Sequence, residues 1–165
     1  MNAVKRILVP TDFSATSDAA LNYGTQLAGA LNARLYLLHV TGDTGVNFEA
    51  DFPIAGFNNT PRQRLEMLAG QQEAQRIQTE YALRMGTPDN QIVRYAEARD
   101  IDLIVMGTHG RGFMSHMVMG SVAEKVVRTA PCPVLTVRNA NHGFVIPDAL
   151  PRSAAKSVDL RPVQR

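Results

Sequence analysis

The chain has 165 residues, 45% hydrophobic and 19% charged, a balance that suits one compact domain able to bury roughly 70% of its unfolded surface. Its net charge of +2 is unevenly placed: residues 1–138 carry 13 Lys and Arg against 13 Asp and Glu, and residues 139–165 carry four against two. A neutral body lacks the concentrated basic face that nucleic acid demands, no apolar run approaches the ~18 residues of a membrane span, and the lone Cys132 excludes a disulfide framework or a cysteine-based metal cluster.

The N-terminus MNAVKRILVP runs directly into a strand without signal-peptide architecture, so the expectation is a soluble cytoplasmic protein with neither nucleic acid nor membrane as partner. That first strand is Arg6-Ile-Leu-Val-Pro10, apolar without alternation, as strands covered on both faces are. A helix follows from near Ser14, with Ala20, Gly24, Leu27 and Leu31 spaced to form one small and apolar stripe. Arg34-Leu-Tyr-Leu-Leu-His-Val40 is the second strand, which completes a β-α-β unit. Thr60-Pro61 reads as an N-cap with proline at the first helical position, opening a second helix through about Ile77 whose face is weakened by Gly70 and several glutamines. A short strand spans Thr79 to Met85, and Thr87-Pro88 repeats the cap-and-proline signal for a third helix. Ile101-Asp-Leu-Ile-Val-Met106 is the fourth strand, Val122, Ala123, Val126 and Ala130 mark the stripe of a fourth helix, and Pro133-Val-Leu-Thr-Val137 is the fifth strand. Five strands alternating with four helices predict an α/β single domain with a parallel sheet and helices on both faces.

Two segments break the repeat. Residues 41–59 form a long connection carrying Phe48, Phe52, Ile54 and Phe57, apolar side chains that suit a lid or a partner contact. Residues 139–165 hold Pro147, Pro151 and Pro162 without periodicity and read as a mostly irregular extension outside the core, with Phe144-Val-Ile146 available for docking.

The densest chemical signal runs from Val105 to Ser121. A strand breaks into Gly107-Thr-His-Gly110, Arg111 and Gly112 follow, and Gly120-Ser121 opens a helix. Glycines after a strand and before a helix allow backbone amides to approach a phosphate closely. Each residue also has a plainer reading. Ser121-x-x-Glu124 fits a capping box, and Asp12 fits a cap on the first helix. His109 and His116 suit loop surface as well as ligands, and Arg111 suits a solvated charge as well as a phosphate contact. His39, His109, His116 and His142 lack metal spacing, Cys132 reads as a packed edge-strand residue rather than a nucleophile, and Met114, Met117 and Met119 read as gap fillers under the loop.

Taken together, Ile7-Leu-Val-Pro-Thr-Asp-Phe-Ser14, Leu37-Leu-His-Val40, Asp102-Leu-Ile-Val-Met-Gly-Thr-His-Gly-Arg111 and Gly120-Ser-Val-Ala-Glu-Lys-Val-Val-Arg-Thr-Ala-Pro-Cys-Pro-Val134 resemble the universal stress protein family over residues 4–138. The spacing G-x2-G-x9-G-[ST], met by Gly107, Gly110, Gly120 and Ser121, resembles the branch that binds ATP. The resemblance implies an adenine nucleotide alpha hydrolase-like, Rossmann-type sandwich with strand order 3-2-1-4-5 and a domain over residues 1–138. It places Pro10, Thr11 and Asp12 at the end of the first strand, with Asp12 contacting ribose or a phosphate-bound metal such as Mg. The backbone at Val40 and Met106 meets the adenine, and Gly107, His109, Gly110, Arg111, Gly112, Gly120, Ser121 and Val122 surround the phosphates. Family members usually form homodimers, and an edge strand Val134 to Val137 invites pairing with its copy.

Fast hydrolysis is not predicted. There is no G-x-x-x-x-G-K-[ST], hence no lysine bridging the β- and γ-phosphates, and Pro10-Thr-Asp-Phe-Ser14 stands where related ATP pyrophosphatases carry S-G-G-x-D-S. The leading reading is an ATP-holding stress-response module. The alternatives are a slow ATPase or nucleotide-transferring enzyme working through His109, Arg111 and Asp12, and a nucleotide-independent oligomerisation or chaperone-like module.

Overall fold

The apolar runs become a five-stranded, wholly parallel sheet in the order β3-β2-β1-β4-β5. The computed structural model describes residues 3–42, 60–108 and 119–138. Among these, the elements in chain order are β1 (Arg6–Pro10), α1 (Ala15–Leu31), β2 (Arg34–Thr41), α2 (Pro61–Ala74), β3 (Thr79–Met85), α3 (Pro88–Ala98), β4 (Leu103–Gly107), α4 (Ser121–Thr129) and β5 (Val134–Val137). The long connection at 43–59 and the extension at 139–165 lie outside the described residues, as do the readings attached to them. No helix among the described residues is long and apolar enough to cross a membrane.

Alternation along buried strands sends neighbouring side chains to opposite faces, and each face has its own core. Ile7, Val9, Leu35, Leu37 and Val105 meet Ala20, Ala28, Leu65 and Ala69, so α1 and α2 cover one face. Leu8, Tyr36, Leu38, Ile104 and Met106 meet Ile92, Tyr95, Ala96, Ala123 and Val126, so α3 and α4 cover the other. The winding reverses between β1 and β4, where the chain crosses from β3 to the far side of β1.

Helix α1 sits unusually close to the sheet. A Cβ built on Gly24 stands 2.6 Å from Val9 Cγ2, with Leu35 and Val105 just beyond. The buried face of α1 is Ser17, Ala20, Leu21, Gly24, Thr25 and Ala28, whereas Leu27 is only partly buried and Leu31 is exposed. The expected stripe therefore drifts off the sheet at its C-terminal end. Two buried polar residues share the buried face: Thr25 Oγ1 donates to Leu21 O at 2.8 Å and lies 2.8 Å from the Gln72 side-chain amide, and Ser17 Oγ donates to Ser14 O at 2.9 Å. Helix α2 ends at Ala74 rather than Ile77, which packs instead as a partly buried side chain in the turn before β3. Its start is the expected one: Thr60 and Gln63 form a complete capping box with Pro61 at N1. β4 starts at Leu103, two residues later than expected, because the Asp102 carboxylate accepts from the amides of Lys5 and Arg6 at 2.8 and 2.9 Å and so pins the amino ends of β1 and β4 together.

Candidate functional site

Pinned at their amino ends, β1 and β4 are paired only over the first part of their length. Ile7 pairs with Leu103 and Leu8 with Ile104, and there the ladder between them stops. On the outer sides the ladders continue: β1 pairs with β2 as far as Pro10 opposite Leu38, and β4 with β5 as far as Gly107 opposite Val137. β2 also outruns β1, so His39, Val40 and Thr41 pair with β3 alone. The early end of that ladder lies at the winding reversal, flanked by the ends of β1, β2 and β4, which is where open α/β sheets form the crevice that binds ligands.

On the β1 side, Pro10 leads into a tight turn that carries Thr11 and Asp12. Buried Thr11 is bonded on every side: its amide donates to Leu38 O at 2.8 Å, its Oγ1 accepts from the Phe13 amide at 3.0 Å, and the same oxygen lies 3.1 Å from Ser17 Oγ. Asp12 Oδ1 accepts from the Ser14 hydroxyl at 2.6 Å and from the Ser14 amide at 3.1 Å. Burial raises its carboxyl pKa, but hydrogen bonds from Ser14 and Ser17 outweigh that and hold it below the usual 3.8. The residue is thus an anion at neutral pH. It does not cap α1. Ser14 does, at φ −88 and ψ 162, accepting from the Ser17 amide, and Asp12 buttresses that cap.

Charge on Asp12 is consequently linked to stability. Its folded pKa is depressed, so the contribution is complete above the unfolded pKa and fades as pH falls through the folded one. Asp12→Asn should cost at most about 1 kcal/mol at pH 7, the side chain being only partly buried. That difference should shrink steadily below pH 3.8. Urea unfolding of both proteins at pH 7, 4 and 3 measures it, and a gap that stayed constant with pH would show the carboxylate to be uncoupled from the fold.

On the β4 side, Met106 and Gly107 lead to Thr108, which is buried. Gly107 has a structural role: an added Cβ would lie 3.0 Å from the Thr16 carbonyl carbon and oxygen, so its bareness admits the first turn of α1. The Thr108 amide donates to Val137 O at 3.1 Å, and the Thr108 carbonyl accepts from the Gly120 amide at 2.6 Å. The described chain thus leaves at Thr108 and resumes beside it at Gly120, the two joined by that bond. His109, Gly110, Arg111 and Gly112 fall within residues 109–118, outside the described residues, together with His116, Met114 and Met117.

Helix α4 starts one residue earlier than a serine cap would place it. Gly120 is the N-cap, at φ −71 and ψ 152, and no side chain caps the helix. The Ser121–Glu124 capping box does not form: exposed Ser121 is already the first helical residue, and the Glu124 carboxylate pairs with Arg128 at 2.9 Å. The Gly120 amide is also spent on Thr108, so it is not a donor for a ligand. Helical geometry instead leaves the amides of Ser121, Val122 and Ala123 without an intrahelical acceptor, at the positive end of the helix dipole. Beneath them Val40, Met106, Met119 and Val122 share the second core, bringing the ends of β2 and β4 against the start of α4. Met119 is thereby a gap filler, as expected. Cys132 packs in the same core two residues before β5, where burial and then the charge of Asp102 push its thiol upward, which suits an inert residue.

Three residues of this neighbourhood were not anticipated from sequence. Phe13 has φ +61, a left-handed conformation costing a bulky residue roughly 1–2 kcal/mol. Its ring lies 4.4 Å from the His39 ring and 4.0 Å beneath the Arg64 guanidinium. His39 Nδ1 is 2.7 Å from Thr11 O, and since a carbonyl only accepts, that nitrogen carries the proton. The available signal was a histidine in an otherwise apolar strand. Among the described residues no group of three or more His, Cys, Asp or Glu is arranged to hold a metal ion.

A model of the universal stress protein family matches residues 3–138. Universal stress protein MJ0531 of Methanocaldococcus jannaschii is 31% identical over 142 residues, covering 83% of this chain and 84% of its own length. The solved structure of MJ0577, a universal stress protein of the same organism, is similar with a TM-score of 0.68 at 28% identity and covers 86% of this chain and 100% of its own. A universal stress protein in complex with cAMP has a TM-score of 0.63 at 24% identity, covering 83% of this chain and 98% of its own, and shares the fold.

Proposed function

The chain belongs to the universal stress protein family, and we propose that it acts as a homodimeric stress-response module that holds ATP in the opening between β1 and β4. The observation that carries this reading is the early end of the β1–β4 ladder at Leu8 and Ile104, with an ionised Asp12 on one side and an uncapped helix start on the other. ATP supplies a polyphosphate anion, ribose hydroxyls and an adenine edge. The amides of Ser121, Val122 and Ala123 suit the phosphates, each end charge being worth roughly 0.3–1 kcal/mol to an anion. The Ser121 hydroxyl, free of a capping role, adds a further donor. Asp12 suits the ribose hydroxyls or a nucleotide-bound Mg ion, and main-chain groups at Val40 and Met106, lying beyond the β1 ladder, suit the adenine edge. By the family resemblance, His109, Gly110, Arg111 and Gly112 would contact the phosphates as well. The cAMP complex of the related protein indicates that such a fold accommodates an adenine nucleotide.

Holding is favoured over turnover. A carboxyl held below its usual value is a weak proton acceptor at neutral pH, so Asp12 is poorly suited to activate water. Mass spectrometry of small molecules released from the purified protein should find an adenine nucleotide, and ADP release should not exceed the background of Asp12→Ala. Rapid ADP production absent from that variant would instead favour an enzyme.

The dimer reading rests on β5, which pairs on one side with β4 and whose Val134, Leu135 and Thr136 are only half-buried. Pairing with a second copy would cover that edge. Light scattering should give twice the 18.0 kDa chain mass at micromolar concentration. A monomer there would overturn the dimer while leaving the nucleotide site untouched.

A further inference from the structure

We propose that His39 and Arg64 are positioning residues, clamping Phe13 between them so that the Thr11–Ser14 turn presents Asp12 at the β1–β4 opening. The inference rests on the nucleotide reading for its purpose, though the clamp itself stands on contacts within the protein. Phe13 is the only residue of the turn with a positive φ, so its backbone conformation needs support from outside the turn. That support comes from two other elements. His39, near the end of β2, donates through Nδ1 to Thr11 O at 2.7 Å and lays its ring 4.4 Å from Phe13. Arg64, in the first turn of α2, sets its guanidinium 4.0 Å over the same ring, a cation–π contact on a partly buried aromatic.

The consequence reaches Asp12 through short bonds. With Phe13 fixed, its amide meets Thr11 Oγ1 at 3.0 Å, and the next amide, that of Ser14, meets Asp12 Oδ1 at 3.1 Å. Were Phe13 to relax to a negative φ, the Ser14 amide would swing away from Asp12 Oδ1 and the carboxylate would lose that anchor. The buried histidine here ties β2 to the turn after β1, since a leucine in its place would offer no donor to Thr11 O. Arg64 adds a route from the site to the start of α2, which directly follows residues 43–59.

The test uses the full chain and two readouts. Amide hydrogen exchange without nucleotide should show Ser14 exchanging about tenfold faster in His39→Phe and in Arg64→Ala, with Leu37 and Leu38 of β2 unchanged. His39→Asn, which keeps a donor near the position of Nδ1, should recover most of the protection lost in His39→Phe. In calorimetric titration with ATP, His39→Phe should weaken binding about tenfold in the wild-type background and have no further effect in Asp12→Ala. Unchanged exchange at Ser14 in both variants would overturn the clamp, and an undiminished effect in Asp12→Ala would overturn its action through Asp12. Failure of the unmodified protein to bind ATP would defeat the functional reading instead, with the exchange readout still deciding whether the clamp exists.

Discussion

Gly120→Val should leave the protein folded and lower its affinity for ATP by a hundredfold or more. Gly120 adopts φ −71 and ψ 152, extended backbone that any residue accepts, and valine retains the amide that donates to Thr108 O at 2.6 Å. The substitution therefore removes neither the cap conformation nor the bond that closes residues 109–118. It adds a branched side chain beside the amides of Ser121 and Val122, where a phosphate group has to make contact for the helix start to bind it. Loss of two or three charge-assisted hydrogen bonds, each worth about 1.5–3 kcal/mol, accounts for the size of the effect. Thermal unfolding of the variant should match that of the parent to within a few degrees, while calorimetry with ATP should give no measurable heat. Gly110→Val, by family resemblance, should behave alike. Full affinity in Gly120→Val would mean that the phosphates, if bound at all, lie elsewhere.

Gly24→Val is the counterpart, damaging the fold first and the site only as a result. The missing side chain would start 2.6 Å from Val9 Cγ2, which is fully buried, with Leu35 Cδ1 at 3.7 Å and Val105 Cβ at 3.8 Å closing the space beyond. No retreat is open to Val9 without moving β1. Helix propensity runs the other way, since glycine within a helix is unfavourable by roughly 1 kcal/mol against alanine, but two additional methyl groups must enter a closed core. Overpacking should dominate, at about 3 kcal/mol. For a domain of this size that is a fall of roughly 10 °C in melting temperature. Because α1 begins at the turn carrying Asp12, nucleotide affinity should fall in parallel with stability and recover with it at lower temperature. A variant as stable as the parent would show that α1 can lift away from the sheet, which its packing over Gly107 and Gly24 argues against.

The alternation of strands and helices was legible because parallel strands covered on both faces are apolar throughout, and because Thr60-Pro61 and Thr87-Pro88 mark helix starts by proline geometry. The strand order, by contrast, came from the family resemblance: nothing in the residues of β3 or β4 says on which side of β1 each will lie. Where polar groups are buried, hydrophobic patterning misplaced them. Ser17, Thr25 and Gln72 occupy core positions because they satisfy one another or nearby backbone, which only the packed helices make possible. His39 escaped notice for the same reason. A one-residue shift in the cap of α4 converted Ser121 from a capping serine into an exposed hydroxyl, a distinction that hydrogen-bond geometry decides and residue type does not. Asp12 was identified for its position at the end of β1, but the turn that holds it, with Phe13 at positive φ, has no sequence signal, since phenylalanine is among the last residues one would assign to that conformation.

Calorimetric titration of the nucleotide-free protein with ATP, ADP and AMP, with and without magnesium, tests most directly whether the opening between β1 and β4 is an adenine-nucleotide site. Saturable binding of ATP with one site per chain, weakened as phosphates are removed and abolished in Gly120→Val, is the predicted result. Absence of binding by any of the three at millimolar concentration would contradict it.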